Sequence, residues 1–204
     1  MRTINLIVIH CSATPNGQPI GPLDVRGKPT QTPTKVIDGW HAARGFKRQP
    51  DAAAEFNSAL IAIGYHYVID LDGNAWSGRS LAEVPAQAAG FNANAVAICM
   101  VGTDSYTPLQ WKKLLQLVVD VRMDYNVPLR APLRVPQPAT AVQPLGYRML
   151  DGICGHRDLS PDKNGNGLIE PFEYSKTCPG FSVADWIKSG LQALPAHTLS
   201  GGKS

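Results

Sequence analysis

The sequence predicts an α/β fold, a single domain with a mixed central β-sheet flanked by helices. Three observations carry this. Residues 4–10 alternate Ile4, Leu6, Val8, His10 with Asn5, Ile7, Ile9, both sets mostly apolar, as in a strand buried on two faces. Residues 65–71 and 96–101 are two more short runs of strand character. Capped segments with helical spacing lie between and after these runs, and strands interleaved with helices form a sheet covered by helices.

In chain order, the Pro/Gly-rich stretch Pro15 to Pro33 follows the first strand and reads as a long surface loop. Thr34 is positioned to cap a helix through Val36, Ile37 and Trp40 that stops at Gly45, and Asp51 to cap another over 52–63 that ends at Gly64. The strand at Tyr65 to Leu71 runs into Asp72-Gly73, a turn signal, and 74–78 returns as the second arm of a hairpin. Thr107-Pro108-Leu109-Gln110 combines an N-cap, proline at the first helical position and a capping box, and Trp111, Leu114, Leu115 and Val118 then recur at helical spacing. Val127 to Pro144 holds five prolines and reads as irregular. Ser182 caps a last helix with Val183, Trp186 and Ile187 inward. The domain is expected to span 1–194, with 195–204 a flexible tail.

The 204 residues are 44% hydrophobic and 17% charged, with a formal net charge of +3. That composition excludes a disordered polyelectrolyte, a collagen and a coiled coil. Basic residues are scattered and no aromatic-basic nucleic-acid module is visible, so no nucleic-acid partner is expected. No apolar run approaches the ~20 residues of a membrane-spanning helix, so no membrane insertion is expected. The first residues hold one basic side chain and a short apolar run without a small-residue cleavage site, a strand and not a signal peptide, so synthesis in a cytoplasm is expected. In such a compartment Cys11, Cys99, Cys154 and Cys178 are expected as thiols or metal ligands.

Three blocks carry candidate chemistry: His10 at the end of its strand, Cys154-Gly155-His156-Arg157-Asp158, and Lys176-Thr177-Cys178-Pro179-Gly180. Two histidines and a cysteine suit an open zinc site, three protein ligands plus a water. The spacing matches no standard zinc motif, and the alternative is hydrogen-bonded structural imidazoles with a small buried thiol. His66 points to the opposite strand face from Tyr65 and reads as structural. His41 and His197 read as ordinary.

These blocks, with His10-Cys11-Ser12-Ala13-Thr14, Trp40-His41, Gly64-Tyr65-His66, Asp72-Gly73, Gly78-Arg79, Ala89-Gly90-Phe91-Asn92, Val101-Gly102 and Thr107-Pro108, resemble the zinc-dependent N-acetylmuramoyl-L-alanine amidases. That family includes phage lysozymes of amidase type and peptidoglycan recognition proteins. The resemblance implies one catalytic zinc bound by His10, His156 and Cys178, with Tyr65 and Lys176 beside it. It implies hydrolysis by zinc-activated water of the lactyl amide between muramic acid and L-alanine, with Lys176 serving the developing oxyanion and Tyr65 either orienting the water or donating to that oxyanion. Trp76 and Arg79 are candidates to line a glycan groove. The family often has a histidine shortly before the Ala-Gly-x-Asn block, where this chain has Gln87 and Ala88.

An insertion between His156 and Cys178 matches the twelve-residue EF-hand loop: Asp162, Asn164 and Asn166 at positions one, three and five, Gly167 at six, the Leu168 carbonyl at seven and Glu173 at twelve. One calcium ion is expected there, and a polar Asn-Gly surface loop is the alternative. Pro161 directly before Asp162 disfavours an incoming helix, so a lone loop is expected and not a paired EF-hand. The whole pattern suggests a monomeric phage or prophage endolysin acting on peptidoglycan after release from the cytoplasm. The alternatives are a cytoplasmic muropeptide-recycling amidase and a non-catalytic peptidoglycan-binding module.

Overall fold

The computed structural model describes residues 2–136, 147–149 and 151–200. Its strands are β1 (Leu6–Cys11), β2 (Tyr67–Ile69), β3 (Ala75–Ser77), β4 (Ala95–Met100), β5 (Arg134–Pro136), β6 (Tyr147–Met149) and β7 (Gly152–Gly155). Its α-helices are α1 (Pro33–Ala43), α2 (Pro50–Glu55), α3 (Pro108–Tyr125) and α4 (Val183–Lys188). Five strands form one mixed sheet in the order β3-β2-β4-β1-β7. β1 runs parallel to β4 and β7, β2 runs parallel to β4, and β3 alone is antiparallel.

Alternation along β1 sorts the core. Leu6 and Val8 pack with Phe91, Cys154 and Leu159 on one face, while Ile7 and Ile9 pack with Trp111, Leu114 and Val118 of α3 and Trp186 of α4 on the other. All six β1 residues are buried, as both-face burial of the central strand predicts. The α3 start is the one anticipated: Thr107 Oγ1 accepts from the Gln110 N–H, and the Gln110 side chain accepts from the Thr107 N–H. The hairpin at Asp72-Gly73 forms, with Gly73 at a φ of 75°.

Four expectations need correction. The first helix is capped by Thr32 and not by Thr34, which is buried inside it. The helix expected over 52–63 ends at Glu55, because Asn57 takes a left-handed φ of 55° and the Arg48 guanidinium collects the Ala52, Phe56, Asn57 and Leu60 carbonyls. Part of the proline-rich stretch is a strand, since β5 pairs with β6 in a separate two-stranded sheet. The rest of that stretch, 137–144, lies outside the described residues. The tail is pinned as far as Leu199, because Tyr106 exchanges backbone hydrogen bonds with His197 and Leu199. Residues 201–204 lie outside the described residues.

Candidate metal centre and active site

Parallel register builds the site. Val8 pairs with Cys154 and Ile9 with Gly155, so the next rung sets His10 beside His156 as β7 ends. Their rings lie 4.7 Å apart between centroids. Cys178 arrives from a loop held on three sides. Its carbonyl accepts from the Arg157 N–H at 2.9 Å, the next carbonyl, that of Pro179, accepts from the Tyr106 hydroxyl at 2.6 Å, and its Sγ accepts from the Cys11 N–H at 2.9 Å. Gly180 completes the anchor: at φ 86° it runs so close to the 103–104 backbone that a Cβ would sit 2.6 Å from the Thr103 carbonyl oxygen.

His10, His156 and Cys178 thus offer ligand atoms all within 4.8 Å of one another. His10 Nδ1 is buried with no hydrogen-bond partner, and such an atom is costly unless something fills its lone pair. Burial, and then His156, hold the His10 imidazole far below its usual range. Burial and the Lys176 ammonium bring His156 to about 4. Both rings are therefore neutral at neutral pH, the form that binds a metal. The Cys11 thiol beside it and burial push the Cys178 thiol well up, so a cation is what would hold it as thiolate. Two neutral imidazoles and a thiol fit a borderline-soft divalent ion such as zinc.

Tyr65 stands against this trio, its ring 5.0 Å from that of His10 and 5.2 Å from that of His41. Burial pushes its phenol well above the usual value, so it is an O–H donor at neutral pH. Lys176 is solvent-exposed, and its charge is felt at His156. Trp76 is half-buried, with its indole N–H donating to Asp70 at 2.7 Å. It lines a cavity of about 630 Å³ between the 19–33 loop and the β2–β3 hairpin. Ile20 and Val101 of that cavity share an apolar cluster with Tyr65.

Arg79 does not line a groove. It is 6% exposed, with its guanidinium donating to the Ile63, Val84 and Lys47 carbonyls and paired with Glu83 at 3.1 Å. His66 is structural, as expected: Nδ1 accepts from the Ala97 N–H and Nε2 donates to the Glu83 carbonyl. His41 is also tied down, with Nδ1 accepting from the Gly64 N–H at 2.9 Å, yet it is one of the rings that back Tyr65. Gln87 was missed as a site residue. Its Oε1 contacts His10 Nε2, a pairing that no sequence motif announces.

The EF-hand-like loop is ordered by its own side chains. Asp162 accepts from the Gly165 and Gly167 N–H groups, Asn164 from Asn166, and Asn166 from Leu168. Asn164 and Asn166 both donate to Glu170. Glu173, expected to serve as the bidentate ligand, instead has both carboxylate oxygens accepting backbone N–H groups, those of Lys163 and Asn164 on one and Glu170 on the other. Leu168 is exposed. Asp162, Glu170 and Glu173 do not gather as a second metal-ligating trio; among the described residues only His10, His156 and Cys178 do so.

His10 and His156 at the ends of adjacent parallel strands, joined by Cys178 from the loop before α4, give an α/β domain the donor set that a metal-dependent hydrolase would use. The family model described as N-acetylmuramoyl-L-alanine amidase matches residues 1–181, and the chain belongs to that family. It is an amidase that acts on peptidoglycan. A protein from Haemophilus influenzae, described only as uncharacterized, is 35% identical over 127 residues, 58% of this chain and 90% of that one. The endolysin of Klebsiella phage KP32 is 26% identical over 199 residues, covering 94% of this chain and 90% of its own. The N-acetylmuramoyl-L-alanine amidase LysC from Clostridium intestinale shares the fold, with a TM-score of 0.55 at 24% identity over 93% of this chain and 86% of its own. No helix among the described residues is long and apolar enough to cross a membrane.

Proposed function

We propose that this amidase is a monomeric endolysin that cleaves the amide joining the lactyl group of muramic acid to L-alanine, with one zinc held by His10, His156 and Cys178. The observation that carries the reading is the approach of those three ligand atoms to within 4.8 Å of one another. Similarity to the KP32 endolysin along nearly the whole chain supports action on the wall after release from the cell.

When bound, zinc brings the pKa of a coordinated water toward ~7 and so makes hydroxide available at neutral pH. The remaining work falls to the protein. Attack on the amide carbon puts negative charge on the carbonyl oxygen. The Lys176 ammonium, solvent-exposed and near enough to act on His156, meets that charge, and the buried Tyr65 O–H donates to it. His41 and His10 pack against the Tyr65 ring and fix the direction of its hydroxyl. The cavity under Trp76 receives the part of the substrate next to the scissile bond, with the indole offering an apolar face.

For residues 162–173 we propose a single calcium ion, on the strength of the twelve-residue pattern. Binding would turn Glu173 from its backbone N–H partners to the ion and so tighten the segment that leads to Lys176 and Cys178. Calcium titrated into zinc-loaded protein should release or absorb heat and raise the melting temperature, and Glu173→Gln should abolish both. No heat, with no change in melting temperature, would remove calcium.

The catalytic reading is tested on purified sacculi. New L-alanine amino termini without new reducing sugar ends are expected from the wild type and not from Cys178→Ser. Activity on soluble muropeptides alone would point to a recycling enzyme instead. Zinc binding without any release of amino termini would point to a binding module.

A further inference from the structure

An imidazole offers a metal one lone pair, and which nitrogen carries it depends on where the proton sits. In this chain that choice for His10 is made by Gln87. The side-chain Oε1 of Gln87 meets His10 Nε2, while His10 Nδ1 is buried and unpartnered, and His10 offers one ring nitrogen to the trio with His156 and Cys178. A carbonyl oxygen only accepts, so this contact requires the proton on Nε2 and leaves the lone pair on Nδ1.

Gln87 is itself held. The N–H groups of Gln87 and of Ala88 both donate to Asn92 Oδ1, each at 3.0 Å. Asn92 opens the short 3-10 turn Asn92–Asn94 that leads into β4, the strand beside β1. The amide is therefore carried by backbone fixed to the same sheet as the imidazole it touches. The arrangement has a cost: Gln87 Nε2 is buried with no partner, and a buried donor left unpaired is unfavourable. Rotating the amide by half a turn would pair that donor with His10 Nε2 and move the imidazole proton to Nδ1, taking the lone pair away from the unpartnered nitrogen.

We infer that Gln87 is the positioning residue of the metal centre, its Oε1 fixing His10 as the Nε2–H tautomer so that Nδ1 is presented to the metal. This rests on the zinc reading above. Groups that hold the outer nitrogen of a metal-binding histidine govern affinity by about 10–100-fold. A carboxylate does the same work and carries no spare donor, so Glu at this position keeps the function and removes the orphaned N–H.

The test measures zinc affinity by competition with a chromophoric chelator, together with the imidazole 15N shifts of the metal-free protein. Wild type should show His10 as the Nε2–H tautomer. Gln87→Leu should bind zinc about 10–100-fold more weakly and lose that single tautomer. Gln87→Glu should bind at least as tightly as wild type and keep it. A Leu variant with wild-type affinity and an unchanged His10 spectrum overturns the inference while leaving the zinc reading intact. A wild type that binds no zinc sinks the zinc reading and the inference with it. Should Gln87→Leu fail to fold, Gln87→Glu decides alone: weaker binding or an altered tautomer overturns the inference.

Discussion

The backbone N–H of Cys11 donates to Cys178 Sγ at 2.9 Å, across 167 residues of sequence. One peptide group at the end of the central strand thereby aims at a side chain from the last loop before α4. An N–H pointed at sulfur favours the thiolate and fixes its position relative to His10, the residue before Cys11. The loop is fixed independently of the sulfur, by the Tyr106 hydroxyl on the Pro179 carbonyl and by the Arg157 N–H on the Cys178 carbonyl.

Cys178→Ser should therefore keep the fold and lose the metal. A hydroxyl can still accept from Cys11 N–H, but it is a poor zinc ligand beside a thiolate. Zinc per protein, measured by elemental analysis after dialysis, is expected to fall from about one to near zero. Release of amino termini should fall with it, while the far-UV circular dichroism stays that of the wild type. A serine variant that retains stoichiometric zinc would show that the sulfur is not a ligand.

Lys176 and Tyr65 should separate from the ligands in kinetic terms. Neither is needed to hold the ion, so Lys176→Met and Tyr65→Phe should bind zinc as wild type does. Each removes a donor for charge that develops only in the transition state, and losses of about 10²–10³ in kcat are expected from each. Single-turnover rates on a defined muropeptide would check this. A change confined to KM would assign the two residues to substrate binding.

Much of this was legible in the sequence where local chemistry decides the outcome. The Thr107/Gln110 capping box, the Ser182 cap and the Asp72-Gly73 turn are short-range devices, and each formed where its residues stood. Both faces of β1 read as apolar because both are covered. The missed features depend on distant partners. Gly152-Ile153-Cys154-Gly155 has little strand character of its own and becomes β7 because β1 offers it an edge. The helix over 52–63 is cut short by Arg48, which no window of that segment contains. Arg79 looked like a groove cation and is buried because Glu83, four residues on, joins it to Arg48. At the metal centre the ligand types were visible and their convergence was not. Gln87 stood out only as a departure from the histidine that the family often has there, and its contact with His10 appears once the fold brings the two together.

Acid should destabilise the metal-free fold through its buried histidines, among them two that lie outside the ligand trio. Burial, helped by Arg44, brings His41 from 6.5 to about 4, and burial above all brings His66 from 6.5 to about 3. His66 accepts from Ala97 N–H at Nδ1, so protonation there would break a bond to β4. Both folded values lie below the unfolded one. The unfolded chain therefore takes up protons as pH falls through about 6.5 while the native state does not, and stability is lost from there down to about pH 4 for His41 and about pH 3 for His66. The slope is at most about 1.4 kcal/mol per pH unit for each ring. Urea midpoints of the metal-free protein at neutral pH and at about pH 5 would measure it, and His66→Gln should flatten the dependence. Equal midpoints at the two pH values would contradict the assignment.

Arg48 supports a buried polar cluster with Glu83 and Arg79, and its loss should be among the most damaging single changes. Its side chain is fully buried and pairs with Glu83 at 2.8 Å, while Arg79 holds the other Glu83 oxygen at 3.1 Å. The guanidinium also serves the Ala52, Phe56, Asn57 and Leu60 carbonyls, of which Ala52 accepts as well from the Phe56 N–H and Asn57 from the Leu60 N–H. Arg48→Met would keep much of the volume. It would remove the guanidinium donor from those carbonyls and leave Glu83 with one cation in place of two. Breaking a buried pair from one side costs about 3–5 kcal/mol. The urea midpoint should drop accordingly, and amide exchange in 50–63 should quicken before that of β1 and β4. Zinc affinity should hold under native conditions, because none of the three ligands touches this cluster. Glu83→Gln gives the complementary result: it keeps an acceptor for Arg48 but leaves two buried guanidinium groups with no counter-charge, and should destabilise the fold through their repulsion. A midpoint for Arg48→Met within about 0.5 kcal/mol of wild type would mean that water replaces the guanidinium at little cost.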